Sequence, residues 1–135
     1  MKIVLDANVI IAAFAARGLC ESIMEVCLSD HEILLCDELL EEILINLRLK
    51  IKLSTKIVDD IGDLLMEQVS MIDPVPLSPD ICRDLDDIKV LGLAVAGSAN
   101  CIVTGDKDLL ILKEFQGIPI LTPRAFSSLL HSEEE

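Results

Sequence analysis

Short apolar runs alternate with longer segments whose apolar residues recur at helical spacing. The short runs predict buried strands at residues 2–5, 32–35, 70–73, 101–103 and 118–121. Helical spacing predicts helices over residues 9–16, 21–28, 38–49, 55–69, 87–96 and 109–113, and a last one from residue 123. Strands that alternate with helices predict an α/β fold with a central, mainly parallel sheet and helices on both faces.

Polar and special residues mark several of the predicted helix ends. Asp37, Ser54 and Thr122 stand where an N-cap is needed, and Gly18 and Gly97 follow the apolar pattern as stop signals. The predicted inward face of helix 38–49 is Leu40, Ile43, Leu44 and Leu47. That of helix 55–69 is Ile57, Val58, Ile61, Leu64 and Leu65.

The chain has 135 residues, of which 52% are apolar, and this is enough for one well-packed domain. We expect a single domain over residues 1–130 and a frayed acidic tail at 131–135. No apolar run reaches the roughly 18 residues of a membrane span. Asp6 interrupts the apolar N-terminal stretch, which argues against a signal peptide, so a soluble, cytoplasmic protein with no membrane partner is expected.

Cysteine and histidine offer little metal chemistry. The five cysteines are odd in number and form no C-x-x-C pair, and there are only two histidines. A disulfide scaffold or a zinc site is therefore not expected, and any bound metal would be held by oxygen ligands.

The net charge of −13 does not attract nucleic acid through the overall field. Only residues 48–56 are basic as a segment, because of Arg48, Lys50, Lys52 and Lys56. The first three could guide RNA, or they could form a solvated helix end. With no Trp or Tyr and three Phe, the chain shows no aromatic platform for stacking bases.

Carboxylates occur at the ends of predicted strands and at the edges of predicted helices. Asp6 follows the first strand, where it could serve a site or cap the next helix. Glu42 lies at the margin of an apolar helix face, a position that is also common for a solvated glutamate. Asp106 and Asp108 follow the strand 101–103 through a Thr-Gly turn, where Asp106 could also be a helix cap.

A further acidic group precedes the helix that Gly97 ends. Asp87 stands three, four and seven residues before Val90, Leu91 and Ala94, so it opens the inward face of this helix. The helix dipole accounts for one acid in a first turn. It accounts less well for three acids in four residues, Asp84, Asp86 and Asp87, because they repel one another.

Four carboxylates that converge within about 6 Å would repel by roughly 3 kcal/mol per pair at an effective dielectric of about 20. Such a cluster either takes up protons or binds a cation. Oxygen ligands favour Mg²⁺ or Mn²⁺, and acid-lined sites for these ions commonly activate water for phosphodiester cleavage.

Five motifs, in the same order along nearly the whole chain, resemble the PIN-domain family, and within it the toxin components of prokaryotic toxin–antitoxin pairs. They are VLDANVIIAA, DELLEEILINL, RDLDDIKVLGLA, IVTGDKDLLIL and ILTPRAF. The resemblance places the four family acids at Asp6, Glu42, Asp87 and Asp106. Asp108 and Asp84 stand beside them as assisting residues.

This resemblance implies a three-layer α/β/α fold and Mg²⁺- or Mn²⁺-dependent endoribonuclease activity, with Asp108 as a fifth metal ligand. It also implies an RNA substrate, a homodimer and a cognate antitoxin that inserts into the site. Three positions depart from the family pattern: Ala7 replaces a hydroxyl residue, Leu85 a proline and Asn100 an acid. None of them removes one of the four acids.

Other functions compete with a nuclease. A PIN-like module that binds metal or a partner without cleavage is compatible with Ala7, the absence of stacking residues and the net charge. A phosphoryl-transfer domain with Asp6 as nucleophile usually has a second Asp two residues on, where this chain has Asn8. A response-regulator receiver fits less well, because its paired acids close the first strand.

Overall fold

The computed structural model describes residues 1–134, and the side chains of residues 1–132. The strands are β1 (Lys2–Leu5), β2 (Glu32–Leu35), β3 (Ser70–Met71), β4 (Cys101–Val103), β5 (Glu114–Phe115) and β6 (Ile118–Leu121). The helices are α1 (Ala7–Ala15), α2 (Leu19–Asp30), α3 (Asp37–Leu49), α4 (Thr55–Gln68), α5 (Leu85–Ala96), α6 (Lys107–Leu110) and α7 (Pro123–Glu134).

One sheet with the strand order β3-β2-β1-β4-β6-β5 crosses the molecule. All neighbouring pairs are parallel except β5 and β6, which are antiparallel. Helix α5 packs against β1 and β2, while α7 contacts β6 and α2. The predicted α/β fold with a mostly parallel sheet flanked by helices is confirmed.

The central strands are buried because helices cover both of their faces. In β1 and β2 every residue after the first is buried, and all three residues of β4 are buried. Such continuous apolar runs are typical of parallel strands, and they explain why the sequence pattern predicts these three strands with the observed bounds.

Three of the expected capping residues act as caps. The Ser54 side chain accepts a hydrogen bond from the Ile57 amide, and Thr122 Oγ1 accepts one from the Ala125 amide. Gly97 ends α5 with its own amide bonded to Leu93 O and Val95 O.

The N-cap prediction at Asp37 is wrong by one residue. Cys36 is the N-cap of α3 without a side-chain hydrogen bond, and Asp37 is the first helical residue. Because β2 ends at Leu35, the chain turns directly into the helix and leaves Asp37 in the first turn, where the dipole favours it.

The predicted inward face of α4 is also too wide. Val58, Ile61 and Leu65 are buried, but Ile57 and Leu64 are 49% and 38% exposed. These two positions fall at the margins of the stripe that meets the neighbouring helix α3.

Strand β5 is not predicted by the sequence pattern, because its two residues, Phe115 and the exposed Glu114, form no apolar run. It pairs with β6 through the turn at Gln116 and Gly117, which both have positive φ angles, 49° and 82°. Two positive φ angles in a two-residue turn are typical of a tight hairpin.

Helix α7 continues through residues 131–134, so these residues are helical where the sequence predicts a frayed tail. Residue 135 lies outside the described residues.

Among the helices of residues 1–134, the longest has 14 residues, and none is long and apolar enough to cross a membrane.

Gly92 allows the proline-rich segment to lie against α5. A Cβ atom at Gly92 would lie 2.4 Å from the backbone O of Val75, whose amide donates to Gly92 O at 3.2 Å. We predict that Gly92→Ala lowers the free energy of unfolding by about 1–3 kcal/mol, because backbone has to move.

Urea denaturation measures this change. Gly105→Ala is the control, since a Cβ there meets nothing within 4 Å, and we expect it to change stability by less than about 1 kcal/mol. Equal stability losses in the two variants would show that the contact with Val75 is not what requires glycine.

Candidate metal centre

The acidic residues meet at the carboxyl end of β1 and β4, which are neighbours in the sheet. From β1 the chain continues to β2 and β3 on one side, and β4 begins the other side with β6. This is the switch point of an open parallel sheet, where the connections diverge and leave a crevice. Asp6 follows β1 directly, and Thr104 follows β4.

Asp6 caps helix α1 and also faces the neighbouring strand end, because its two carboxylate oxygens have different hydrogen-bond partners. Oδ1 accepts a hydrogen bond from the Ala7 amide at 2.8 Å as Asp6 caps α1, and Oδ2 accepts one from Thr104 Oγ1 at 2.7 Å. The residue is only 6% exposed.

Asp106 is held by the same threonine. Its amide donates to Thr104 Oγ1 at 3.0 Å, so one hydroxyl links the two strand ends. Asp106 is also the N-cap of α6, and its Oδ1 accepts a hydrogen bond from the Asp108 amide at 2.9 Å.

Asp87 lies in the first turn of α5, whose N-cap is Asp84. It is only 4% exposed, and its Oδ2 is buried without a hydrogen-bond partner. Because an unpaired buried carboxylate oxygen is costly, this atom indicates a ligand or a bound proton.

Glu42 reaches the same place from α3, one turn past the helix start. A cavity of about 90 Å³ brings these acids together. It is lined by Asp6, Ala7, Asn8, Leu39, Glu42, Asp84, Asp86, Asp87 and Asp106. The structure thus places Asp6, Glu42, Asp87 and Asp106 around one small cavity.

Asp108 lies beside this cavity and does not line it. Single carboxylate oxygens of Asp87, Asp106 and Asp108 lie within 4.8 Å of one another. Asp108 Oδ1 also accepts a hydrogen bond from Arg83 Nη2 at 2.7 Å.

Burial and mutual repulsion raise the pKa of three of these acids. The pKa of Asp87 is raised to about 7, by burial first, then by contact with the Asp106 carboxyl and by the charges of Asp106, Asp84 and Asp6. Burial is also the main cause of the raised pKa of Asp6, which the hydrogen bonds from Thr104 and Ala7 oppose.

The pKa of Glu42 is raised as well, by burial first and then by the charges of Asp86, Asp6 and Asp84. Lys50 lowers it, so the basic segment acts on the site through its charge although neither Lys50 nor Arg48 nor Lys52 lines the cavity.

Ala7 and Asn100, two of the departures from the family pattern, lie in different places relative to the acidic cavity. Ala7 lines the cavity, at the position where the family resemblance leads us to expect a hydroxyl residue. Asn100 lies at the opposite edge of the sheet, where its Oδ1 accepts from the Lys2 amide at 2.7 Å in a separate cleft of about 780 Å³. Asn100 therefore takes no part in the acidic cavity.

Two residues of the centre, Thr104 and Arg83, are not singled out by the sequence pattern. Thr104 belongs to a recognisable Thr-Gly-Asp turn, but its link between Asp6 and Asp106 needs the pairing of β1 with β4. Asp86, one of the three clustered acids at the start of α5, lines the cavity although the residue is exposed. Arg83 is 25 residues away from Asp108 in sequence.

The donor set fits a hard divalent cation. Six carboxylates and no lysine or arginine are found among the described residues that line the cavity. Oxygen-only donors are the ligands that Mg²⁺ and Mn²⁺ prefer, and the unpaired Asp87 Oδ2 is an available donor.

A mostly parallel α/β sheet with an acidic crevice at its switch point places the chain among the α/β domains whose sites lie at the carboxyl ends of the strands. The PIN-domain family model matches residues 2–108, and the chain belongs to this family, whose members are generally nucleases.

Two solved structures share the fold. VapBC2 from Rickettsia felis, bound to a DNA fragment from their promoter, gives a TM-score of 0.59 at 15% identity, over 90% of this chain and 98% of that chain. FitAcB from Neisseria gonorrhoeae gives 0.56 at 15% identity with the same coverage. A comparison with curated protein sequences finds no match.

The raised pKa of Asp87 predicts a pH-dependent stability when divalent ions are absent. The folded protein binds this proton more tightly than the unfolded chain, so the contribution of Asp87 is greatest in acid and is lost as the pH rises through about 7. The slope is at most about 1.4 kcal/mol per pH unit for one group.

We predict that Asp87→Asn reduces this slope between pH 5 and pH 8 and raises stability at pH 8. Urea denaturation in EDTA measures both quantities. Asp59→Asn, at an exposed position on α4, is the control and should keep the wild-type slope. An unchanged slope in Asp87→Asn would contradict the account of this carboxyl.

Proposed function

We propose that this chain is a Mg²⁺- or Mn²⁺-dependent endoribonuclease that cleaves RNA phosphodiesters by activated water. The main support is the buried, unpaired Asp87 Oδ2 in a cavity lined by six carboxylates. The proposed ligands are Asp6, Glu42, Asp87 and Asp106. A carboxylate oxygen of Asp108 lies within 4.8 Å of oxygens of Asp87 and Asp106. Family membership supports the same activity.

In the proposed reaction, the residues of this chain hold the carboxylates in fixed positions. Asp6 is fixed by two hydrogen bonds at a junction of β1 and α1, and Asp106 is fixed through Thr104, so both carboxylates are preorganised. When bound, the divalent ion supplies acidified water and neutralises charge that develops on the phosphate. Asp87, whose pKa is raised to about 7, is suited to hold or release a proton near neutral pH.

The substrate reaches this centre from outside. A cavity of about 90 Å³ accommodates an ion and a few waters, so the nucleotides remain at its rim. The cation reduces the repulsion that six carboxylates would otherwise exert on an RNA backbone. Lys50, whose charge already acts on Glu42, and the neighbouring Arg48 and Lys52 are proposed to guide the RNA.

The proposal includes protein partners. The family resemblance implies that this chain is the toxin of a toxin–antitoxin pair, with a cognate antitoxin that inserts into the site, and that it forms a homodimer. We propose that it acts in the cytoplasm. Light scattering of the chain alone and with the product of the neighbouring reading frame tests both partners.

Cleavage of labelled RNA tests the activity. We predict cleavage with Mg²⁺ or Mn²⁺ and none with EDTA, and a loss of about 100-fold or more in Asp6→Asn and Asp106→Asn, because a ligand and its charge stabilisation are removed. Asp59→Asn is the charge-matched control and should cleave like wild type. Expression of the wild type, but not of Asp106→Asn, should arrest growth.

Equal cleavage by wild type and by the two site variants would remove the nuclease assignment. A second function, binding without cleavage, is favoured by one observation: Ala7, which has no hydroxyl, lines the cavity at the position where the family resemblance implies one. Tight Mn²⁺ binding by calorimetry with no turnover on any RNA would support that function instead.

A further inference from the structure

Two groups of acids at this centre share Asp87 and Asp106. In the first group, these two line the cavity together with Asp6 and Glu42. In the second group, their oxygens lie within 4.8 Å of an oxygen of Asp108. Shared carboxylates between two adjacent groups are the usual arrangement of a site for two ions.

One member of the second group, Asp108, is already paired with a cation of the protein itself. Arg83 Nη2 donates to Asp108 Oδ1 at 2.7 Å, and this bond raises the pKa of Arg83, which therefore stays charged. Arg83 directly precedes Asp84, whose capping bond to the Asp86 amide fixes the start of α5. Asp108 is fixed from its side by the bond of its amide to Asp106 Oδ1. The ion pair thus joins the residue before the N-cap of α5 to the first turn of α6.

Arg83 suits this position chemically. Its side chain is 87% exposed, so the guanidinium donors that do not contact Asp108 remain available at the rim of the centre. A guanidinium binds carboxylate and phosphate oxygens through a planar fork and remains protonated at all relevant pH values. No lysine or arginine lines the cavity itself among the described residues.

We propose that Arg83 occupies the place of a second divalent cation, so that the centre takes one ion and uses the guanidinium as its second positive charge. This inference rests on the proposed metal-dependent function. Arg83 is a positioning residue here: it holds Asp108 away from metal coordination and presents its free donors to a phosphate oxygen at the rim. A divalent ion at Asp108 would meet the guanidinium charge, which weakens its binding by on the order of tenfold.

Isothermal calorimetry with MnCl₂ on the whole chain tests this directly, because it counts ions without measuring activity. We expect one ion for the wild type and two for Arg83→Ala. Arg83→Lys, which keeps a positive charge, should bind one ion, and so should the double variant Arg83→Ala with Asp108→Asn. Arg124→Ala, at an exposed position of α7, is the control and should bind one ion.

The outcomes separate this inference from the function on which it rests. Two ions in the wild type, or one ion of unchanged affinity in Arg83→Ala, would overturn the role of Arg83 and leave the metal-dependent function standing. A wild type that binds no Mn²⁺ would contradict the metal-dependent function itself and the inference with it. Circular dichroism checks that each variant is folded.

Discussion

The Thr104 hydroxyl is the interaction on which the centre depends. It donates to Asp6 and accepts from the amide of Asp106, so a single buried atom fixes the acids at the ends of two neighbouring strands. Thr104 is completely buried, and its position follows from the pairing of β1 with β4. The sheet thereby sets the distance between two carboxylates that would otherwise separate, because like charges repel.

This arrangement is unfavourable for folding and favourable for binding a cation. Burial and mutual repulsion raise the pKa values of Asp6, Glu42 and Asp87, and one oxygen of Asp87 has no partner at all. Functional sites commonly contain such local destabilisation, and the apolar core of the central strands offsets it. A divalent ion would relieve the repulsion and satisfy the unpaired oxygen, which is why the same residues serve the proposed chemistry.

Much of this could be predicted from local sequence. The apolar runs predict β1, β2 and β4 with their observed bounds. The spacing of Val90, Leu91 and Ala94 after Asp87 predicts that the Asp87 side chain faces inward, and this residue is buried. What depends on the meeting of distant segments could not be predicted. The approach of Glu42 depends on how α3 leaves β2, and the Arg83–Asp108 pair and the Thr104 link need the assembled sheet. Strand β5 contains Glu114 and only one apolar residue, so the apolar pattern gives no strand signal there.

The central claim is that the carboxylates of Asp6, Glu42, Asp87 and Asp106 form one divalent-cation site. Anomalous diffraction from a crystal of the chain soaked in MnCl₂ tests it most directly, because it locates the ion without reference to activity. The account predicts one peak in the cavity, within coordination distance of Asp87 Oδ2 and of carboxylate oxygens of neighbouring acids. An empty cavity at a saturating Mn²⁺ concentration, or a peak only elsewhere on the surface, would contradict it.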